Sequence, residues 1–126
     1  MLQGFFKIGE YREPNQDASY IEFIGRRKSV VIPIVYLFVV DQHLKYIGES
    51  RRGFSRPLSY NKNAVMKKQR DGILGVVSQG KVVEVYAIEV PKIEVNFNGV
   101  RLNCYVAQDY EKHLIDEFEP EWNGRR

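Results

Sequence analysis

Two tyrosines and a glycine stand where a β-hairpin would bring them onto one surface. A three-residue loop that pairs Val40 with Leu44 sets Tyr36 opposite Gly48. Tyr46 is then the diagonal neighbour of Tyr36 on the same face of the sheet. Because glycine has no side chain, a bulky polar group can approach the backbone beside the two phenols.

Basic residues follow this hairpin directly. Arg51, Arg52 and Arg56 supply guanidinium groups, which can bind two phosphate oxygens at once. The wider segment from residue 50 to residue 81 holds eight bases and one acid, a net charge of +7 (8 − 1). This concentration of positive charge indicates contact with a polyanion.

One carboxylate stands out in the last third of the chain, where residues 84 to 123 hold nine acids and three bases, a net charge of −6 (3 − 9). At 100° per residue, Glu111 falls within an apolar helical stripe that comprises Ala107, Tyr110, Leu114, Ile115 and Phe118. The far side of that helix holds Asp109, Lys112, Asp116 and Glu119. A carboxylate on a core-facing stripe needs a cation, hydrogen bonds or a metal ion. Taken alone, the helix favours a structural salt bridge, for example to Arg56 or Arg101.

Apolar runs and turn residues predict the strands that position these groups. Residues 34 to 40 and 44 to 47 form a central pair, and residues 81 to 90 form a strand that ends before Pro91. Residues 93 to 97 and 100 to 104 flank Asn98-Gly99, a strong hairpin signal. Residues 2 to 8 and 18 to 24 predict an additional N-terminal hairpin.

Two helices complete the predicted fold. Residues 63 to 79 have helix-forming types, but Gly72 and Gly75 predict a bent or broken helix. The C-terminal helix ends at Pro120. The fold class is therefore α+β, with a small central antiparallel β-sheet flanked by helices and an extra N-terminal hairpin. We expect one domain over residues 1 to 126, with an N-terminal extension over 1–33 and a core over 34–123.

Composition excludes several classes of protein. With 44% hydrophobic and 13% aromatic residues, the chain can bury a core, so intrinsic disorder is not expected. The single cysteine allows no internal disulfide. The uncharged stretch around the apolar maximum, residues 29 to 40, is interrupted by Pro33 and is shorter than the roughly 20 residues of a membrane span. We expect a cytoplasmic protein without a membrane partner.

The spacing of several polar residues resembles that of the GIY-YIG nuclease superfamily. The first tyrosine is Tyr36, and the second opens the motif Tyr46-Ile47-Gly48. Arg56 comes ten positions after Tyr46, and Tyr60 comes four positions after Arg56. The C-terminal part of the resemblance comprises Glu111, Leu114, Ile115, Pro120 and Asn123. It covers about residues 34 to 123.

This resemblance implies a metal-dependent endonuclease that hydrolyses DNA phosphodiester bonds by in-line attack of water, with one Mg²⁺ or Mn²⁺ ion. The family's catalytic residues correspond here to Tyr36, Tyr46, Arg56, Tyr60 and Glu111. Glu111 would be the metal ligand, and Gly48 and Asn123 would support the site. Arg56 would stabilise the phosphate, and the two tyrosines of the hairpin would position or activate the attacking water.

The implied partner is DNA. We expect its backbone to contact Arg51, Arg52, Lys62, Lys67, Lys68 and Arg70. A homo-oligomer would let one small chain cut both strands, and the N-terminal hairpin is the candidate interface.

Two departures from the family pattern leave a second hypothesis open. Ile34 stands where the first motif has glycine, and Glu49 follows the second motif where several relatives place lysine. The alternative is a catalytically weakened nucleic-acid-binding or scaffold protein on the same fold.

Overall fold

The computed structural model describes residues 2–12, 32–55, 57 and 67–124. The first half of this part contains the strands β1 (Phe6–Tyr11), β2 (Ile34–Val40) and β3 (His43–Ser50), a 3₁₀ turn at Gly53–Ser55 and the helix α1 (Lys67–Val77). The second half contains β4 (Val83–Glu89), β5 (Ile93–Phe97), β6 (Val100–Cys104), the helix α2 (Val106–Phe118) and a C-terminal 3₁₀ turn at Glu121–Asn123.

The central sheet is antiparallel, with the strand order β1-β4-β2-β3. All seven residues of β2 are buried, so both faces of this strand are covered. Ile73 and Val77 of α1 pack on the face that carries Tyr36 and Phe38. The apolar residues of α2 pack on the opposite face, against Val35, Leu37, Val39 and Ile47. The predicted α+β class, with helices on both sides of the sheet, is confirmed.

The hairpin of β2 and β3 has a shorter turn than predicted. Val40 pairs with His43, not with Leu44, because Asp41 and Gln42 adopt positive φ values of 50° and 67° and close a two-residue turn. A bulge between Phe38 and Val39 then shifts the register by one residue. Beyond it, Tyr36 lies opposite Gly48, as the sequence predicted.

The predicted break in the first helix is wrong for residues 67–77, which form one continuous helix; residues 63–66 lie outside the described part. Gly72 is retained inside α1 by packing, because a Cβ placed there would lie 2.7 Å from Cε2 of Trp122. Trp122 is buried in the cluster that α1 shares with the sheet. Close contact with an indole ring therefore offsets the weak helix propensity of glycine.

The C-terminal helix follows its predicted stripe in most positions. Ala107, Leu114 and Ile115 are buried, and Glu111 is half-buried. Phe118 departs from the prediction with 42% exposure, because it is the last helical residue. The helix ends at Glu119, which has a φ of 45° and donates its N–H to the Ile115 carbonyl at 2.8 Å, directly before Pro120.

The N-terminal strand belongs to the central sheet, where β1 pairs with β4. Ile8 and Tyr11 are buried in the core shared with β2 and α1, so this part of the predicted extension is integral to the domain. The predicted second strand of the N-terminal hairpin, residues 18–24, lies outside the described residues. The predicted strand over 81–90 and the hairpin over 93–104 are confirmed as β4 and as β5 with β6.

Gly72→Ala should destabilise the protein although alanine favours helices over glycine by about 1 kcal/mol. Overpacking against the Trp122 ring costs about 1–3 kcal/mol. We therefore expect a net loss of up to about 2 kcal/mol in the free energy of unfolding, measured by urea denaturation. Gly75→Ala is the matched control, because a Cβ at that position meets no atom within 4 Å. It should stabilise the protein by about 0.5–1 kcal/mol. Equal stabilisation by both substitutions would contradict the packing of Trp122 on α1.

Candidate active site

An aromatic cluster occupies one face of the β2–β3 hairpin. The ring centroids of Tyr36 and Tyr46 are 6.0 Å apart, and Phe38 lies 5.6 Å from the first and 5.4 Å from the second. Tyr36 is 1% exposed, whereas Tyr46 is half-buried at the edge of the same cluster. The structure therefore brings the two predicted tyrosines together, with one phenol enclosed and the other nearer to solvent.

Gly48 lies directly beneath the Tyr36 phenol. A Cβ at this position would lie 2.5 Å from Cζ and 2.6 Å from the hydroxyl oxygen of Tyr36. No other residue type leaves room for the ring, since nonbonded heavy atoms do not approach this closely. The glycine of the second motif thus fixes where the Tyr36 hydroxyl lies over β3.

Asn123 holds the outer edge of β3 next to this cluster. Its amide oxygen accepts the Ile47 N–H at 2.9 Å, and its amide nitrogen donates to the Ile47 carbonyl at 2.8 Å. Ile47 lies between Tyr46 and Gly48, so Asn123 holds the backbone between these two residues. The amide satisfies both backbone groups that a further strand would otherwise pair.

The C-terminal 3₁₀ turn, Glu121–Asn123, also connects the β2–β3 hairpin to α1. Gln69 donates its side-chain N–H to the Trp122 carbonyl at 2.9 Å, while Lys45 on β3 forms an ion pair with Glu121 at 2.9 Å. The hydrogen bond from Lys45 lowers the pKa of the Glu121 carboxyl. Because that pKa is lower in the folded state, the pair stabilises the fold above the ordinary carboxyl pKa, and this stabilisation is lost as the pH falls through the lowered value.

Two groups of predicted DNA-binding residues are described, one after β3 and one on α1. At the end of β3, the Arg51 guanidinium stacks 4.2 Å from the centroid of the Tyr105 ring, and the Ser50 hydroxyl accepts the Arg52 N–H at 3.0 Å. On α1, Lys68 is exposed and Arg70 forms an ion pair with its neighbour Asp71 at 3.2 Å. The predicted residues Arg56, Tyr60 and Lys62 and the side chain of Lys67 lie outside the described part of the structure.

Tyr11 makes a long-range contact that the sequence did not single out. Its buried hydroxyl donates to the Pro57 carbonyl at 2.7 Å, 46 residues along the chain. The first strand of the sheet thereby anchors the backbone next to the predicted catalytic Arg56. A tyrosine in an apolar strand carries no sequence signal for such a contact, because the contact depends on the pairing of β1 with β4.

The helix that carries Glu111 packs on the other side of the sheet from the tyrosine cluster. Its helix packs on the face of Val35, Leu37 and Ile47, and β3 is the outermost strand of the described sheet on that side. Glu49 pairs with Val35 and therefore belongs to the same face as α2, not to the face of Gly48. Ile34, in the place of the family glycine, is a buried first residue of β2.

The acidic and metal-binding potential of the described residues is limited. Among them no three His, Cys, Asp or Glu side chains gather in a group that could hold a metal ion. The same portion of the chain contains no helix with the length and hydropathy that crossing a membrane requires.

Gly48→Ala should lower the free energy of unfolding by about 1–3 kcal/mol, because the new methyl group displaces the Tyr36 ring. Combining it with Tyr36→Leu, which shortens the facing side chain, should cost less than the sum of the two single changes. Thermal unfolding of the four proteins gives this coupling. Strict additivity would contradict the close approach of Tyr36 to Gly48.

Asn123→Asp should destabilise the protein near neutral pH by about 1–3 kcal/mol, because a carboxylate accepts from Ile47 N–H but cannot donate to its carbonyl. Facing that carbonyl, the new carboxyl would have a pKa above its ordinary value, so its protonated form restores the donor. The loss relative to wild type should therefore shrink as the pH falls towards about 4. Urea denaturation at both pH values tests this, and a loss independent of pH would exclude the donor role of Asn123.

Comparisons with known proteins place the fold. No protein-family model matches the chain, and no curated protein matches it. Among solved structures, a mutant of bacteriophage T4 EndoII is similar with a TM-score of 0.73 and 20% sequence identity, covering 95% of this chain and 92% of that chain. Restriction endonuclease HPY188I in complex with product DNA is similar with a TM-score of 0.54 and 19% identity, covering 98% and 79%. The chain therefore shares its fold with a phage endonuclease and a restriction endonuclease.

Proposed function

We propose that this protein is a metal-dependent endonuclease of the GIY-YIG superfamily that hydrolyses DNA phosphodiester bonds. The main observation in support is that the Tyr36 phenol packs over Gly48 with Tyr46 beside it, the arrangement that the sequence spacing predicted. The fold shared with two endonucleases, one of them solved with product DNA, supports the same conclusion.

The residues of the proposed site fit a magnesium ion. Mg²⁺ keeps several waters and is commonly held by one or two carboxylates together with substrate phosphates. Half-buried Glu111 would supply one such carboxylate. When bound, the ion would lower the pKa of a coordinated water and offset negative charge on the phosphate.

The chain's own groups would bind and orient the reactants. A tyrosine has an ordinary pKa near 10, so it acts on water best as a positioned hydrogen-bonding group. The enclosed Tyr36 hydroxyl is fixed by the ring packing around it, and the half-buried Tyr46 lies nearer to solvent. Arg56 would hold two phosphate oxygens, while Arg51 and Lys68 would contact neighbouring phosphates.

The edge of β3 is where we place the scissile phosphate. Tyr46 and Gly48 belong to one face of this strand, and α2 with Glu111 packs on the other. Because β3 is the outermost strand of the described sheet, the two faces meet along its edge. The C-terminal 3₁₀ turn covers this edge at Ile47, so the phosphate would lie beyond Gly48, towards Arg51.

One observation favours the alternative of a nucleic-acid-binding protein that does not cleave. The helix that carries Glu111 packs on the face of the sheet opposite to Tyr36, so a cleaving site has to form across the edge of β3. Such a protein would bind DNA with strong salt dependence and show no metal-dependent nicking.

Glu111→Gln should abolish nicking of supercoiled plasmid in the presence of Mg²⁺, because the amide keeps the shape of the side chain and removes its charge. Asp109→Asn is the matched control: it makes the same change at an exposed position of the same helix and should leave nicking intact. Loss of a metal ligand of this kind should reduce the rate by at least about a hundredfold.

Chelation with EDTA should stop wild-type nicking, and added Mg²⁺ or Mn²⁺ should restore it. Equal activity of the Glu111→Gln and wild-type proteins would refute the proposed metal ligand. Salt-sensitive DNA binding by wild-type protein without any nicking would instead support the alternative.

A further inference from the structure

The ribbon formed by β5 and β6 carries an apolar face that the domain does not use. Its two strands form a sheet of their own, and all residues of Ile93–Phe97 and Val100–Leu102 are exposed. An isolated two-stranded hairpin is marginally stable in water unless one face is covered. The described elements leave this face open.

The register sorts the ribbon's side chains by chemistry. Directly opposite residues share a face in an antiparallel pair. The pairs Ile93 with Cys104, Val95 with Leu102, and Phe97 with Val100 make one face wholly apolar. The pairs Glu94 with Asn103 and Asn96 with Arg101 make the other face polar, where Arg101 and Glu94 lie 3.7 Å apart.

The exposed apolar area is large enough for a specific contact. The five large side chains of this face keep between 40% and 72% of their surface exposed. That amounts to on the order of 500 Å² per copy, within the range of patches that mark interaction sites. Two copies would bury up to about 1,000 Å² between them, the area of a weak, concentration-dependent interface.

The chemistry of the face selects its occupant. This face carries no charge, so it offers nothing to a phosphate backbone. The described cations nearest to it are Arg101, which belongs to the polar face of the ribbon, and Arg51 and Lys92, which lie over the Tyr105 ring beyond the base of the ribbon. An uncharged apolar face is complementary to itself. The two ends of the apolar face differ in side-chain size: Phe97, 72% exposed, lies at the tip of the ribbon, and Cys104 lies at its base. If two ribbons pack face to face in opposite directions, the large side chain of each copy lies over the small one of the other.

We propose that the apolar face of the β5–β6 ribbon binds the same face of a second copy of this chain, related by a two-fold axis. The contact is isologous: residue i of one copy meets residue j of the other, and residue j meets residue i. The sequence favoured the N-terminal hairpin as the interface, but Ile8 and Tyr11 of its first strand are buried within the chain's own core. The proposal does not depend on the nuclease function.

Light scattering and sedimentation velocity of the full chain test the assembly. Wild type at micromolar to hundred-micromolar concentration should approach twice the chain mass of 14.7 kDa in a concentration-dependent manner. The double variant Phe97→Thr/Leu102→Thr should stay monomeric, with its dissociation constant raised at least tenfold. Asn96→Thr/Asn103→Thr, on the same two strands but the polar face, should dimerise as wild type does. A monomeric wild type, or a dimer that the first variant leaves intact, would overturn the proposal.

Cross-linking tests the arrangement without removing the apolar anchors. Val100 lies four residues from Cys104 along β6, about 13 Å, too far for a disulfide within one chain. In Val100→Cys, the new thiol should join Cys104 of the second copy under mild oxidation and give a dimer on a non-reducing gel. Arg101→Cys, on the polar face, is the control and should not. Equal cross-linking of both variants, or no cross-linking of Val100→Cys, would overturn the facing arrangement. A wild type that is monomeric at all concentrations, with DNA binding lost in Phe97→Thr/Leu102→Thr, would also overturn it.

Discussion

The burial of β2 on both faces is the constraint on which the rest of the structure depends. A strand of seven apolar or aromatic residues cannot have one face in water, so it needs a neighbour on each edge and a layer on each side. Strands β3 and β4 supply the edges, α1 covers one face and α2 covers the other. The polar groups of the candidate site are consequently found at the border of this core, where β3 ends the sheet.

The sequence predicted the elements better than the contacts between them. Strand patterns, the Asn98-Gly99 turn and the stripe of α2 follow from local periodicity and turn chemistry, and the structure confirms them. The opposition of Tyr36 and Gly48 was predicted correctly because the bulge compensates for a turn one residue shorter than expected. Two deviations, at the turn and at the bulge, cancel at the position that matters for the site.

Long-range contacts account for what the sequence could not show. The continuity of α1 through Gly72 depends on an indole ring 50 residues away, and the anchoring of Pro57 depends on the place of β1 in the sheet. No local preference of either residue predicts such partners. The side of the sheet on which the helix of Glu111 packs likewise follows from the path of the chain around β3. The apolar periodicity of the helix predicts that one of its faces is buried, but not against which face of the sheet.

The Asn123 amide has a consequence for how molecules of this protein can meet. A strand at the edge of a sheet ordinarily exposes backbone groups that recruit further strands, which leads to aggregation. At Ile47 both outward groups are already bonded to one side chain, so the middle of β3 cannot be extended by another chain. Growth of the central sheet by strand addition is therefore blocked at this point of its β3 edge, so a second molecule that approaches β3 meets a side chain instead of open backbone groups.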